Sequence, residues 1–460
     1  MTQSKLNGAV FMVSVIAALA GLLFGFDTGI ISGALLFIQK QFVLTTGMKE
    51  IIVSSVLIGA MLGSLSSGRL TDKFGRRKVM LLIATIFIIG TLAASFAPNV
   101  EIILIGRVFI GFAIGIGSYT APLYIAEAAP FEYRGGLVSL NQLAITIGIM
   151  CSYFINYAFV SIEGSWRWMF LIGIIPAVLL GIGMLFLPES PRWLIKQGMK
   201  DKAEKTLKYL RGSANVQHEI QEIEQSIQLK EPSFLAVFAP WIRKVLYLGI
   251  FLGFIQQVTG INTLIYYAPT IFQMAGFHDA SSSILATAGL GIVNVLSTIF
   301  AIFYLDKWGR RALMFVGLIG MGVSLSCLSL AFHLGAATSD YLRWMSVASA
   351  FIFIISFAIS LGPLLWLMVA EIFPLEIRGA VMSVTVFISW FWNFAVSFTF
   401  LTLVNFLGPS KTFLVYAIMC GIGLVAGYFF VPETKGVSLE KIEENIRAGL
   451  PIRDIGAPSK

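Results

Sequence analysis

Apolar residues gather along this chain into long runs broken by short polar intervals. The runs lie near 9–38, 51–70, 79–97, 102–121, 136–160 and 168–187. A longer polar interval follows, and six more runs lie near 245–274, 283–305, 312–333, 344–370, 380–404 and 413–431. A helix of about 20 residues crosses a bilayer, and each run reaches that length or nearly so. The pattern therefore predicts an all-α membrane protein with twelve transmembrane helices in two six-helix halves. The expected segments are 1–187 and 244–431 for the halves, 188–243 for a cytoplasmic linker with short helices, and 432–460 for a cytoplasmic tail. Ala17-Ala18-Leu19-Ala20 looks like a signal-peptide cleavage site. The surrounding run outlasts the usual apolar core of such a peptide, so an uncleaved first helix is expected.

Hydrophobic residues make up 57% of the chain and charged residues 12%. Soluble domains carry about 25% charged residues. Arg69, Lys73, Arg76, Arg77 and Lys78 crowd one short loop, and Lys307, Arg310 and Arg311 crowd another. The alternate loops carry little positive charge, so the positive-inside rule puts both termini in the cytoplasm. That bias also accounts for the net charge of +8 without any nucleic acid. The linker reads as two amphipathic helices, Asp201 to Arg211, with Ala203, Leu207 and Leu210 on one face, and Glu219 to Leu229. It is too short for a separate enzymatic domain. Cys151, Cys327 and Cys420 fall in predicted helices and suggest neither a disulfide framework nor a metal site.

Three motifs occur twice, about half the chain apart. Glu127, Pro130, Glu132, Arg134 and Gly135 are matched by Glu371, Pro374, Glu376, Arg378 and Gly379. Asp72, Gly75, Arg76 and Arg77 are matched by Asp306, Gly309, Arg310 and Arg311. Pro188-Glu189-Ser190 is matched by Pro432-Glu433-Thr434. Such self-similarity marks an internal duplication. In a membrane protein, repeated halves place a solute site at their interface.

Several polar residues interrupt the apolar runs. A charge at the bilayer centre costs about 2.5–3.5 kcal/mol on insertion scales, so each is a functional candidate. Asp27 stands alone in the first run; Arg107 opens the fourth and Arg134 the fifth. An Asp–Arg pair that forms and breaks with conformation would release and take up a proton; a static structural ion pair is the competing reading. The seventh run holds Gln256, Gln257 and Asn262, with Gly260 between them and Tyr266-Tyr267 after them. Amides offer both donors and acceptors, which suits a ligand with several hydroxyls. Gln142 and Asn294 add two more amides. Helix–helix hydrogen bonding is the alternative for any one of them. Gly362-Pro363 is expected to break the tenth helix beside Trp366, whose indole could stack on an apolar sugar face. Trp390 is a second such candidate.

With these motifs in place, the chain resembles the sugar porter family of the major facilitator superfamily over nearly its whole length, most like the bacterial galactose, arabinose and xylose–proton symporters. The carriers of the likeness are Gly68 through Arg77, Pro188-Glu189-Ser190-Pro191-Arg192, Pro432-Glu433-Thr434-Lys435-Gly436, and Gln256-Gln257 with Asn262. The resemblance implies that Gln142, Gln256, Gln257, Asn262 and Asn294 bond sugar hydroxyls. It implies that Phe24, Tyr266, Gly362, Trp366 and Trp390 line the pocket and its gates. Asp27 would be the proton-coupling acid. Arg134 is its candidate partner, approaching in one state and withdrawing in another, and the resemblance also sets Arg134 among the cytoplasmic contacts. A charge network of Asp72, Arg76, Arg77, Glu127, Glu189 and Arg192 in the first half, with Asp306, Arg310, Arg311, Glu371, Arg378 and Glu433 in the second, would close the cytoplasmic face. Ile302 stands where the second loop signature would have its first Gly, so close packing is less expected there.

The function so implied is proton-coupled symport of a monosaccharide by alternating access, in a monomer of the inner membrane, with no cofactor, no metal and no nucleic-acid partner. A passive sugar uniporter is the first alternative, and Asp27 argues against it. A non-transporting sugar receptor is the second, and the short tail argues against that. An enzyme is not expected, because no nucleophile–base pair stands out.

Overall fold

A computed structural model describes residues 7–212, 215–228, 239–373 and 378–456. Among these residues, twelve helices are long and apolar enough to cross a membrane. The first six spans are Gly8–Gln41, Thr46–Phe74, Arg76–Ser95, Val100–Ala128, Phe131–Phe159 and Ser165–Phe186. The second six are Arg243–Tyr266, Ala280–Tyr304, Arg310–His333, Asp340–Val369, Val384–Leu407 and Pro409–Phe430. All-helical spanning follows from the solvent: a backbone in hydrocarbon must satisfy its own N–H and C=O groups.

Three of the spans are discontinuous: the sixth, which pauses at Ile172–Gly173, the seventh and the tenth. The seventh run is expected as one helix but folds as Arg243–Val258, Ile261–Tyr266 and Ala268–Met274. The first break falls at Gly260, whose φ of 87° is left-handed backbone that favours glycine. The tenth span breaks at Ile359–Ser360, upstream of the expected Gly362-Pro363. The ring of Pro363 collides with the carbonyl four residues earlier, which is that of Ile359, so the interruption precedes the proline.

The chain divides into two compact units that follow contacts rather than sequence order. The first comprises Met1–Asp27, Ser55–Ser152 and Arg167–Glu231; the second comprises Thr28–Ser54, Tyr153–Trp166 and Pro232–Lys460. In the first unit the third span packs along the fourth, and in the second the ninth packs along the tenth and twelfth.

The polar linker forms a small helical cluster within the first unit. Lys200–Arg211 buries Ala203, Leu207 and Leu210 on the predicted face. Gln217–Gln228 follows it. A third short helix, Pro191–Lys196, is additional to those expected. Its signal is local: Ser190 accepts from Trp193 N–H as the N-cap, and Pro191 opens the first turn. Trp193, Leu194, Ile195, Ala203, Leu207, Val216 and Ile220 share one core. Arg211 joins this cluster to the fourth span by donating to Ala128 O at 2.7 Å.

Candidate functional site

The duplicated motifs fold into the same arrangement twice. In the first unit, Arg76 holds Glu127 through two bonds, Nε to Oε2 at 2.7 Å and Nη2 to Oε1 at 2.8 Å. Ser190 Oγ donates to the same carboxylate at 2.6 Å. In the second unit, Arg310 Nη2 reaches Glu371 Oε1 at 2.6 Å, and Thr434 Oγ1 donates to Oε2 at 2.5 Å. Planar guanidinium–carboxylate pairing of this kind is directional and charge-assisted.

A second carboxylate caps a helix in each copy. Glu189 Oε1 accepts from the backbone N–H of Arg76 at 2.8 Å and of Ser190 at 2.8 Å, and Arg77 N–H bonds it at 3.2 Å. Glu433 accepts from Arg310 N–H at 2.9 Å and Arg311 N–H at 3.1 Å. Both sit over the start of a helix, where unpaired N–H groups and the helix dipole favour negative charge. Gly75 (φ 87°) and Gly309 (φ 77°) make the turn that brings the carboxylate there. Burial pushes the Glu189 carboxyl above its usual value, and the three backbone donors and Arg76 pull it back down.

The remaining loop residues take other roles. Arg77 donates to Met184 O and Leu185 O at the end of the sixth span, and Arg311 donates to Tyr428 O near the end of the twelfth. Asp72 lies 3.6 Å from both Arg76 and Lys196. Arg192 is exposed, with no ion pair among the described residues. The side chains of Asp306 and Arg378 lie outside the described residues. At Gly68 an added Cβ would meet nothing within 4 Å, so the change to Ile302 in the second copy removes no close contact of the kind the glycine could make.

Asp27 is 2% exposed and Arg107 0%, and Arg107 Nη1 stands 3.3 Å from Asp27 Oδ1. The expected partner was Arg134. That residue instead lies among Glu127, Arg192, Arg211 and Glu219, with its guanidinium over the Phe131 ring. This arrangement has a simple cause. Arg134 begins its helix at the end carrying the Arg-rich loops, whereas Arg107 is two turns inside the fourth span.

The seventh-span amides form one network in the second unit. Gln256 Nε2 donates to Leu361 O at 2.9 Å and to Gly362 O at 3.4 Å. Gln257 Nε2 donates to Ser389 Oγ at 2.9 Å and Gln256 Oε1 at 3.1 Å. Asn262 Nδ2 donates to Gln257 Oε1 at 2.5 Å. The two helix breaks shape this site: Gly260 turns the chain between Gln257 and Asn262, and the helix that starts after the interruption at Ser360 offers the Leu361 and Gly362 carbonyls of its first turn to Gln256. Ser389 and Leu361 are additions that sequence reading missed. Ser389 carried no signal of its own, being one hydroxyl in a long apolar run.

Of the other candidates, Tyr266, Asn294 and Trp390 are buried in the second unit, and Trp366 is exposed there. Phe24 and Gln142 are half-buried in the first unit. Tyr153 also matters to the site, because its hydroxyl donates to Ile265 O at 3.0 Å and so holds the short helix that carries Asn262.

The chain is similar to known proteins over nearly its whole length. The model of the "Sugar (and other) transporter" family matches residues 13–446. The chain is 42% identical to the galactose-proton symporter of Escherichia coli (strain K12), over 99% of this chain and 98% of that one. It is 39% identical to the arabinose-proton symporter of the same strain, over 96% and 95%. Among solved structures, the proton:xylose symporter XylE bound to 6-bromo-6-deoxy-D-glucose superposes with a TM-score of 0.81 at 31% identity, covering 96% of this chain and 99% of that one. The twelve-span fold, the twice-built charge cluster and the amide network thus stand in a chain that belongs to the sugar transporter family of the major facilitator superfamily.

Proposed function

We propose that this protein carries a monosaccharide together with a proton across the membrane by alternating access. The observation that carries this reading is the amide network on the broken seventh span. Gln256, Gln257 and Asn262 present a row of donors and acceptors, and their present partners are the protein's own groups. A sugar hydroxyl can replace Ser389 or the Leu361 carbonyl in that row without leaving any amide unpaired. Asn294, Tyr266, Gly362, Trp366 and Trp390 in the second unit, and Phe24 and Gln142 in the first, are the further candidates for sugar contact. The relatives named above carry galactose, arabinose or xylose with a proton, which supports the substrate class.

Asp27 is the proton site in this reading, and Arg107 is the cation whose approach and withdrawal change its proton affinity. The charge clusters around Glu127 and Glu371 serve the conformational cycle. Positive-inside reasoning places them, and both ends of the chain, on the cytoplasmic side, and the protein works as a monomer that performs no covalent chemistry. The test is uptake of labelled D-galactose, D-xylose and L-arabinose into proteoliposomes, with and without an imposed proton gradient. Accumulation that follows the gradient supports the reading. Uptake that only equilibrates would make the protein a uniporter, and binding without uptake would make it a receptor.

A further inference from the structure

Glu50 belongs to none of the duplicated motifs and to none of the sites above. It lies in the second turn of the second span, at the end remote from Arg76, and it is buried. Its Oε1 accepts from Thr402 N–H at 2.7 Å and its Oε2 from Thr402 Oγ1 at 2.8 Å. Thr402 lies near the end of the eleventh span. One turn further along, Asn405 Nδ2 donates to Thr46 Oγ1 at 2.9 Å. Thr46 and Glu50 are four residues apart and Thr402 and Asn405 three, so each pair shares one helix face. All four residues belong to the second compact unit. Among the described residues, no cation pairs with Glu50.

We propose that Glu50 is the clasp of a gate, holding the second and eleventh spans together at the end opposite the Arg-rich loops. This inference rests on the transport reading, because a sugar passing that end requires the two spans to part. The chemistry suits a contact made and broken in each cycle. A carboxylate held by two neutral donors exchanges those bonds for water when the spans separate, so closing gains only the difference. A buried cation on the same carboxylate would make separation far more costly, since breaking such pairs leaves charge uncompensated. A leucine pair would leave apolar surface in water on opening. Glu50 therefore sets the balance between closed and open, and the Thr46–Asn405 bond adds a weaker second rung.

The test uses a full-length variant in which Cys151, Cys327 and Cys420 are serine and spin labels are attached at Val43→Cys and Phe406→Cys. Both label sites are exposed and belong to the same unit as the clasp. Label separation is read by electron–electron double resonance in nanodiscs without sugar. Glu50→Ala is expected to raise the ratio of long to short separations about tenfold, the loss of hydrogen bonds to a charged group. Glu50→Gln retains a carbonyl acceptor and Thr402→Val retains the backbone N–H, so each should shift the ratio by less. Unchanged separations in Glu50→Ala overturn the proposal and make Glu50 a static packing group. If Glu50→Ala does not fold, unchanged separations in both milder variants overturn it. Counterflow of labelled D-galactose, D-xylose and L-arabinose in proteoliposomes is measured alongside. Absence of counterflow in the wild type with D-galactose, D-xylose and L-arabinose alike would overturn the transport reading, while the resonance result would still report on the clasp.

Discussion

Arg107 meets Asp27 at 3.3 Å, and both side chains are buried. The pair joins the first span to the fourth inside a single compact unit. Arg107 also lies over the Phe170 ring, 5.9 Å from its centroid. An ion pair with one wall of aromatic carbon and little water is sensitive to small movements, because its Coulomb energy rises as the local dielectric falls.

Asp27→Asn is expected to abolish proton-driven accumulation while preserving sugar binding. Asn keeps the shape and can still accept from Arg107, but it does not ionise. Proton entry is driven partly by the membrane potential, worth about 2.3 kcal/mol per charge per 100 mV. Without a titrating group that energy no longer reaches the sugar. Exchange of sugar for sugar should persist, because it moves no net proton. Accumulation equal to wild type in vesicles with an imposed gradient would reassign the proton to Glu127 or Glu371.

Arg107→Gln should destabilise the protein, because it leaves a buried carboxylate without its cation. Breaking such a pair costs about 3–5 kcal/mol. The double variant Asp27→Asn with Arg107→Gln should recover much of that loss, since no isolated charge remains. Thermal unfolding of the four proteins completes a double-mutant cycle. Additive losses would mean that the two residues do not act as a pair.

Much of the fold was legible because a bilayer leaves few choices. Twelve apolar runs become twelve spans, and the linker helix at Ala203, Leu207 and Leu210 buries the face its periodicity marks. The repeated motifs likewise predicted the repeated charge clusters around Glu127 and Glu371. What the sequence hid depends on depth and on register. Arg134 and Arg107 are alike as residue types, and only their depth along different helices decides which one meets Asp27. Ser389 and Glu50 gain their meaning from partners more than a hundred residues away. No local pattern encodes those meetings.

Gln257→Ala should weaken sugar affinity about tenfold or more while leaving the protein folded. Its amide bonds Gln256, Ser389 and Asn262, so truncation removes a ligand contact and also loosens the groups on either side. A hydrogen bond lost in a dry pocket costs on the order of 1–3 kcal/mol. Ser389→Ala should cost less, because it removes one partner and leaves the amides able to bond one another. Calorimetric affinity unchanged in a folded Gln257→Ala protein would remove this residue from the site.

The two charge clusters should not be equal in effect. Arg76 and Glu127 are both nearly closed to solvent, with the Glu127 side chain 6% exposed, whereas the Glu371 side chain is 23% exposed. Screening by water weakens a pair as exposure grows. Arg76→Ala should therefore lower the melting temperature more than Arg310→Ala. Both variants should slow turnover more than they weaken sugar binding, because the clusters lie at the helix ends and not beside the amide network. Each arginine also begins the helix that Glu189 or Glu433 caps, so its loss disturbs the placement of that carboxylate as well. Turnover measured at saturating sugar, set beside affinity measured by calorimetry, separates the two effects. A larger thermal loss in Arg310→Ala would show that burial does not rank the clusters. Unchanged turnover in both variants would assign these arginines to membrane insertion rather than to the transport cycle.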